Sequence, residues 1–498
     1  MDEVAAPSVR RASGVLGVAI LVSNAGQIAW LAAGRGAFGP GHFGAVLAAQ
    51  SLYGLLQMAL DNGASWEGAR HAAAGTLSVE RRASLIRART LLAAASALVT
   101  LVVGLVGDER MLIASGPFML ALILFALLNV WEPLGKGRMG PYATLVGGRS
   151  LALATVVVGA SALGWHLPLV VPGCVECAVL LMAAAVARQP WPRLASGERA
   201  PWGTIGRVGT PAVVLQYELA IGTVLLGVSG RVLAAATMGV TARLVSGLGS
   251  VQGAAATALF PRLARTPKWR RRDANLAGAG VALTVLVAVV GLAGTIVGGG
   301  LIAAGFLGHH DASTRAALML GVSGAAGAGI TIQLVLILIA LRLERTVFPA
   351  LATGAAIATA GAIAGTLVTG TVGVVVVAAS FAVGQSLTAV MLGFACLRQT
   401  QIPRWALELA ALSGCLLVGS AALASVAPAT RAPLAAALLL AAPSWLGASR
   451  RRLSRPSAEV RRSPEPAESR LPRDARSRLL RSHRRSESRR SPARGTAQ

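Results

Sequence analysis

Along most of its length the chain alternates between apolar runs of about 20 residues and short polar breaks, and about 20 residues is what an α-helix needs to cross a bilayer core. The runs fall at 13–34, 42–62, 90–107, 112–132, 142–164, 168–187, 207–229, 232–258, 276–298, 316–340, 349–368, 371–395, 406–427 and 432–448. An all-α, polytopic membrane protein with fourteen spans is therefore expected. The last span is the shortest and is interrupted by Pro433 and Pro443. Composition agrees, with 54% hydrophobic and 13% charged residues, where a soluble domain carries about 25% charged.

Basic residues test the count independently, because Lys and Arg collect in cytoplasmic loops. With the N-terminus inside, Arg10, Arg11 and the even-numbered connections hold 23 basic residues before the tail. The odd-numbered connections hold five: Arg35, Arg110, Arg231, Arg315 and Arg431. A miscounted helix would invert this bias partway along, and it never inverts. Both termini are expected on the cytoplasmic side of a bacterial inner membrane. Arg10 and Arg11 superficially resemble a twin-arginine secretion signal, but the apolar run that follows, Ser13 to Gly34, is longer than a signal core and a polytopic chain follows it.

Beyond Arg450 the chain turns to Arg, Ser and Pro without hydrophobic periodicity. Such a segment is expected to be disordered, either as a solvated cytoplasmic tail or as a polybasic contact with anionic lipid headgroups. The position of the charge speaks against nucleic acid as a partner. Sliding 42–70 onto 237–265 matches Gly44, Ser51, Gly54, Gln57, Ala59 and Arg70 to Gly239, Ser246, Gly249, Gln252, Ala254 and Arg265. This hint of duplication would make spans one to six and seven to twelve parallel repeats. The expected organisation is an N-terminal lobe (1–206), a C-terminal lobe (207–405), two added spans (406–449) and the tail (450–498).

Charges inside apolar runs are costly and mark functional positions. The seventh and eighth spans form a hairpin about Ser229, Gly230 and Arg231; the first arm carries Gln216, Tyr217 and Glu218, the second Arg243. At about 1.5 Å per residue, Glu218 and Arg243 reach the middle of an apolar slab of about 30 Å, at one depth, where they could pair. On the second span Gln50, Tyr53, Gln57 and Asp61 share one helical face, and the eighth repeats the pattern with Arg243, Ser246, Ser250 and Thr257. With Asn24 and Gln27 on the first span, these stripes predict a polar cavity walled by spans 1, 2, 7 and 8. The alternative is that Ser, Thr and Gln join helices by hydrogen bonds. Arg149 and Glu176 are further candidates, although Arg149 could instead snorkel to the interface. Gly294 with Gly298, and Gly361 with Gly365, have the spacing of close helix packing.

No phosphate loop, H-E-x-x-H or G-x-S-x-G motif occurs, so no enzymatic activity and no cofactor is expected. Cys174 and Cys177 have metal-like spacing but lie in an apolar run, where packing is the expected role. His309, His310 and Asp311 form a solvated cluster rather than a metal site in this reading.

The segment AFGPGHFGAVLAAQSLYGLLQMALDNGASWEGAR resembles the first hairpin of the polysaccharide flippase family, matching at Phe43, Gly44, Asp61, Gly63 and Arg70. GVTARLVSGLGSVQGAAATALFPRLAR resembles the family's eighth helix, which ends in a proline before a basic loop, here Pro261; Val240 stands where the family often has Tyr. The family belongs with lipid II flippases and multidrug exporters to a superfamily of two six-helix lobes, and spans 13 and 14 resemble the two helices that flippases often add. The resemblance implies a transporter that moves an undecaprenyl-diphosphate-linked oligosaccharide between leaflets by alternating access. An arginine at mid-depth, Arg243, would offer paired donors to the pyrophosphate, and with an ion gradient or the membrane potential as driving force Glu218 or Asp61 is the expected proton or cation site. Polysaccharide polymerases and glycosyltransferases are the implied partners. A cation-coupled multidrug exporter, a lipid II flippase and a transport-inactive scaffold for polysaccharide enzymes are the competing readings.

Overall fold

The computed structural model describes residues 9–440, apart from 62, 74, 107–108, 130, 136–139, 188–201, 266–270, 309–310, 341–342, 369 and 400–403; in parts of some helices it describes the backbone alone. The elements in order are α1 (Val9–Phe38), α2 (Pro40–Asp61), α3 (Ala64–Ala73), α4 (Val79–Val106), α5 (Glu109–Leu127), α6 (Trp131–Gly135), α7 (Gly140–Ala162) and α8 (Val171–Val186). There follow α9 (Trp202–Val228), α10 (Val232–Arg265), α11 (Arg271–Ile302) running into a π turn (Ala303–Leu307), α12 (Ala312–Ala340), α13 (Val347–Leu367), α14 (Val372–Gln399) and α15 (Arg404–Val426). Among the described residues there is no strand.

Eleven helices are long and apolar enough to cross a membrane, and three shorter apolar helices, Val171–Val186, Leu416–Val426 and Arg431–Leu440, fill the remaining predicted positions. Each of the fourteen predicted spans thus has its helix. The part of the last span beyond Leu440, the tail, and the side chains of Thr257 and Pro261 lie outside the described residues.

The chain departs from expectation on one face of the bundle. The predicted third span starts at 90, whereas α4 starts at Val79 and draws in Arg89, which the charge pattern had assigned to a loop. Arg89 is fully buried. Arg89 adds a donor at the end of α5: Nη1 donates at 2.8 Å to the carbonyl of Leu128, the residue after the helix, and Nη2 at 2.9 Å to the Phe125 carbonyl, which the Leu128 N–H also reaches. Its guanidinium also lies over the Phe125 ring, 4.7 Å from the centroid. The short helices α3 and α6, expected as loop, pack on each other where the bare backbone of Gly68 meets the buried ring of Trp131.

The packing of the first six spans recurs in the next six. Contacts of α1 with α7, α2 with α4 and α5, α4 with α5, and α8 with α5 and α7 reappear as α9 with α13, α10 with α11 and α12, α11 with α12, and α14 with α12 and α13. Helix α15 packs on α11, α12 and α14. The two sets meet mainly through α2, which lies against α9 and α10. Glycines make that seam tight: Gly44 sits on the Val232 carbonyl, Gly227 on Ala48 and Gly239 on Leu47.

The two small-residue motifs differ. Gly361 and Gly365 on α13 meet Ser380 and Val377 of α14 directly, as the spacing predicts. Gly294 and Gly298 on α11 meet no neighbour within 4 Å among the described residues, unlike the close packing that their spacing predicts.

Helix ends and loops are tied by arginines. The α9–α10 turn is minimal, with Gly230 at φ 71°, a left-handed conformation that glycine adopts without a Cβ clash. The Nη1 of the next residue, Arg231, donates to the Gly365 carbonyl at 3.1 Å and to that of Val368 at the end of α13. Arg110 donates to the Gly41 carbonyl at 3.1 Å and Arg431 Nε to the Ala424 carbonyl at 3.0 Å.

Candidate functional site

Four helices bring a charged and polar group together inside the bundle. From α2, Tyr53 donates its hydroxyl to Glu176 Oε1 on α8 at 2.7 Å. Arg149 on α7 reaches the same oxygen with Nη2 at 2.5 Å and donates Nη1 to Gln57 Oε1 at 3.2 Å. The Tyr53 ring stacks on Phe118 of α5 at 4.8 Å and 24°, and the Arg149 guanidinium stands 5.8 Å from its centroid. The i, i+4 spacing of Tyr53 and Gln57 on α2 lets both address one arginine.

Arg243 enters from α10, in the other set of six spans. It is half-buried, its charged neighbours are Arg149 and Glu176, and it has no hydrogen-bond or ion-pair partner among the described residues. Two guanidinium groups therefore act on one carboxylate, Arg149 in direct contact and Arg243 through its charge. A buried ion pair is favourable only when its remaining hydrogen-bonding capacity is met. Arg243 thus adds a second positive charge beside the Arg149–Glu176 pair.

The expected pairing of Glu218 with Arg243 is not found. The α9 face that carries Glu218 turns toward α13 and α14. There Glu218 Oε2 accepts from Gln385 Nε2, beside Thr388 and the bare backbone of Gly354. Position along a helix sets depth; its rotation sets the partner. Glu218 is buried, and its Oε1 has no hydrogen-bond partner among the described residues.

The remaining candidates divide. Asp61 lies away from the Arg149 group, at the end of α2, where Ser65 Oγ donates to it at 2.5 Å and Arg89 Nε stands 3.6 Å away. Asn24 joins the two sets, donating to Ser250 Oγ at 3.0 Å, and so belongs to the hydrogen-bonding glue. Gln216 packs its amide over Gly54 of α2. Gln27 and Gln50 each keep a buried amide oxygen with no partner among the described residues. Arg149 is engaged by Glu176 and Gln57. Sequence reasoning missed Gln385 and Phe118. A glutamine within the apolar α14 was a readable signal; Phe118 carried none.

Cys177 Sγ donates to the Pro117 carbonyl at 3.5 Å, a packing role. Among the described residues no group of three or more His, Cys, Asp or Glu could hold a metal ion.

No protein-family model and no curated protein matches the chain. Among solved structures it is similar to the lipid II flippase MurJ in an inward closed conformation, with 14% identity over 88% of this chain and 99% of that one, at a TM-score of 0.55. It is also similar to the eukaryotic MATE transporter AtDTX14, with 14% identity over 81% of this chain and 98% of that one, again at 0.55. At such identity the likeness lies in the path of the backbone: the chain has the fold that a lipid II flippase and a MATE transporter share.

Proposed function

We propose that the chain is a transporter that carries a diphosphate-linked lipid oligosaccharide from the inner to the outer leaflet of a bacterial cytoplasmic membrane, for export of surface polysaccharide. The observation that carries this reading is Arg243, an unpartnered guanidinium beside the Arg149–Glu176 pair. A planar guanidinium gives two parallel hydrogen bonds to phosphate, and the group joins helices of both six-span sets. In this reading 1–206 and 207–405 are two lobes that rock about the site, while the lipid tail stays in the bilayer. Glu218, whose partner is an amide rather than a cation, is the better placed of the two proposed coupling carboxylates. The tail would rest on anionic headgroups, and the enzymes of polysaccharide assembly would be neighbours.

A multidrug exporter is the second reading. Surplus positive charge disfavours cationic drugs, and 4% aromatic residues offer few faces for flat cations.

Translocation of a fluorescent undecaprenyl-diphosphate-linked saccharide in proteoliposomes tests the proposal. Arg243→Ala should abolish transport while the protein stays folded and inserted, and Arg243→Lys should recover it only in part, because a point charge does not reproduce the planar fork. Wild-type transport by a stably inserted Arg243→Ala protein would remove Arg243 from the mechanism. Movement of organic cations without the lipid-linked saccharide would favour the exporter.

A further inference from the structure

Glu176 occupies an unusual position in the Arg149 group. Its Oε1 accepts from the Tyr53 hydroxyl and forms an ion pair with Arg149 Nη2, and it is the negative charge among the neighbours of Arg243. The groups aimed at that oxygen are all donors, of the kind a phosphate oxygen would take. They are also braced from behind. Phe118 stacks on Tyr53 and Gln57 holds the second terminal nitrogen of Arg149, so the donors keep their places whether or not the carboxylate is among them. Glu176 itself is on a different helix, α8, and is buried among these donors.

We infer that Glu176 is an internal substitute for the substrate's phosphate: it fills the anion seat formed by Arg149 and Tyr53 when the transporter is empty, and the incoming diphosphate displaces it to bind Arg149 and Arg243 together. This inference rests on the diphosphate reading and adds a regulation of that site. An occupied seat holds the two arginines in place without leaving both uncompensated in a low-dielectric interior. It also lowers the apparent affinity for the true ligand by the fraction of time the seat is taken.

The test is the sign of an affinity change. The full chain in nanodiscs is titrated calorimetrically with inorganic pyrophosphate. Glu176→Gln keeps the shape of the side chain and an acceptor for Tyr53 but gives up the charge. It should bind pyrophosphate about tenfold more tightly than wild type, the gain expected when a seat free one-tenth of the time becomes free throughout. Glu176→Asp, charged but shorter by one methylene, should fall between the two and serves if the first variant does not fold. Arg243→Ala should weaken binding. A merely architectural ion pair predicts the opposite sign, since its loss would loosen Arg149 and weaken the site. Unchanged or weaker binding in both Glu176 variants, with Arg243→Ala still defective, would overturn the inference and leave the transport reading standing. Absence of pyrophosphate binding in every form would overturn both.

Discussion

At the scale of single residues, the charges in apolar runs were legible from the sequence and their partners were not. Arg89 shows why: eleven residues of α4 precede what hydropathy marks as its start, and only the folded chain brings its guanidinium to the carbonyls at the end of α5. Arg89→Ala should destabilise the protein by about 3 kcal/mol or more, because it removes the buried side-chain donor to the Leu128 and Phe125 carbonyls and leaves the Asp61 charge without its counter-ion. Lower thermal stability of the purified protein is the expected readout, with Arg89→Lys recovering part of it. Glu218 should behave differently. Its partner is the Gln385 amide rather than a cation, so Glu218→Gln takes away a buried charge without stranding another. That variant should melt at or above the wild-type temperature, and strong destabilisation would show that the carboxylate has a cationic partner.

At the scale of elements, the spans were legible because a bilayer demands unbroken apolar length, a requirement local sequence expresses fully. The short helices were not. The run forming α3, ASWEGARHAA, has the polarity of a loop, and its helical form depends on Trp131 arriving from α6 to cover Gly68. Small-residue spacing is similarly ambiguous, since it marks where helices could approach and not whether a neighbour is there. A paired substitution separates the cases. Gly361→Leu should cost about 1–3 kcal/mol, because the new side chain enters space already filled by Ser380. Gly294→Leu should be neutral or gain about 0.5 kcal/mol, since nothing stands within 4 Å and glycine weakens a helix interior. Thermal melts of the two variants compare them directly. Equal destabilisation would show that α11 has a neighbour at Gly294.

At the scale of the molecule, a repeat was only faintly legible, as Gly44, Ser51, Gly54, Gln57, Ala59 and Arg70 matched to their counterparts. In the fold the two sets of six helices make corresponding contacts. Orientation is the other property of the whole chain. The proposed arrangement, with both termini inside, predicts that reporters fused at Gln498 or inserted within 261–275 are active only if they function in the cytoplasm. A periplasmic signal at either place would require a different number of crossings.

The arginine ties to backbone carbonyls bear on how such a chain is made. In the proposed orientation Arg110, Arg231 and Arg431 lie on the far side, and each ends on a backbone carbonyl. Drawing a positive charge outward against a membrane potential costs about 2.3 kcal/mol per 100 mV, so these three hinder insertion and support only the finished fold. Biogenesis and stability then select in opposite directions at the same side chains. Arg231→Gln should insert as readily as wild type in a pulse-labelling assay, or more so, yet be lost faster during the chase as the end of α13 frays.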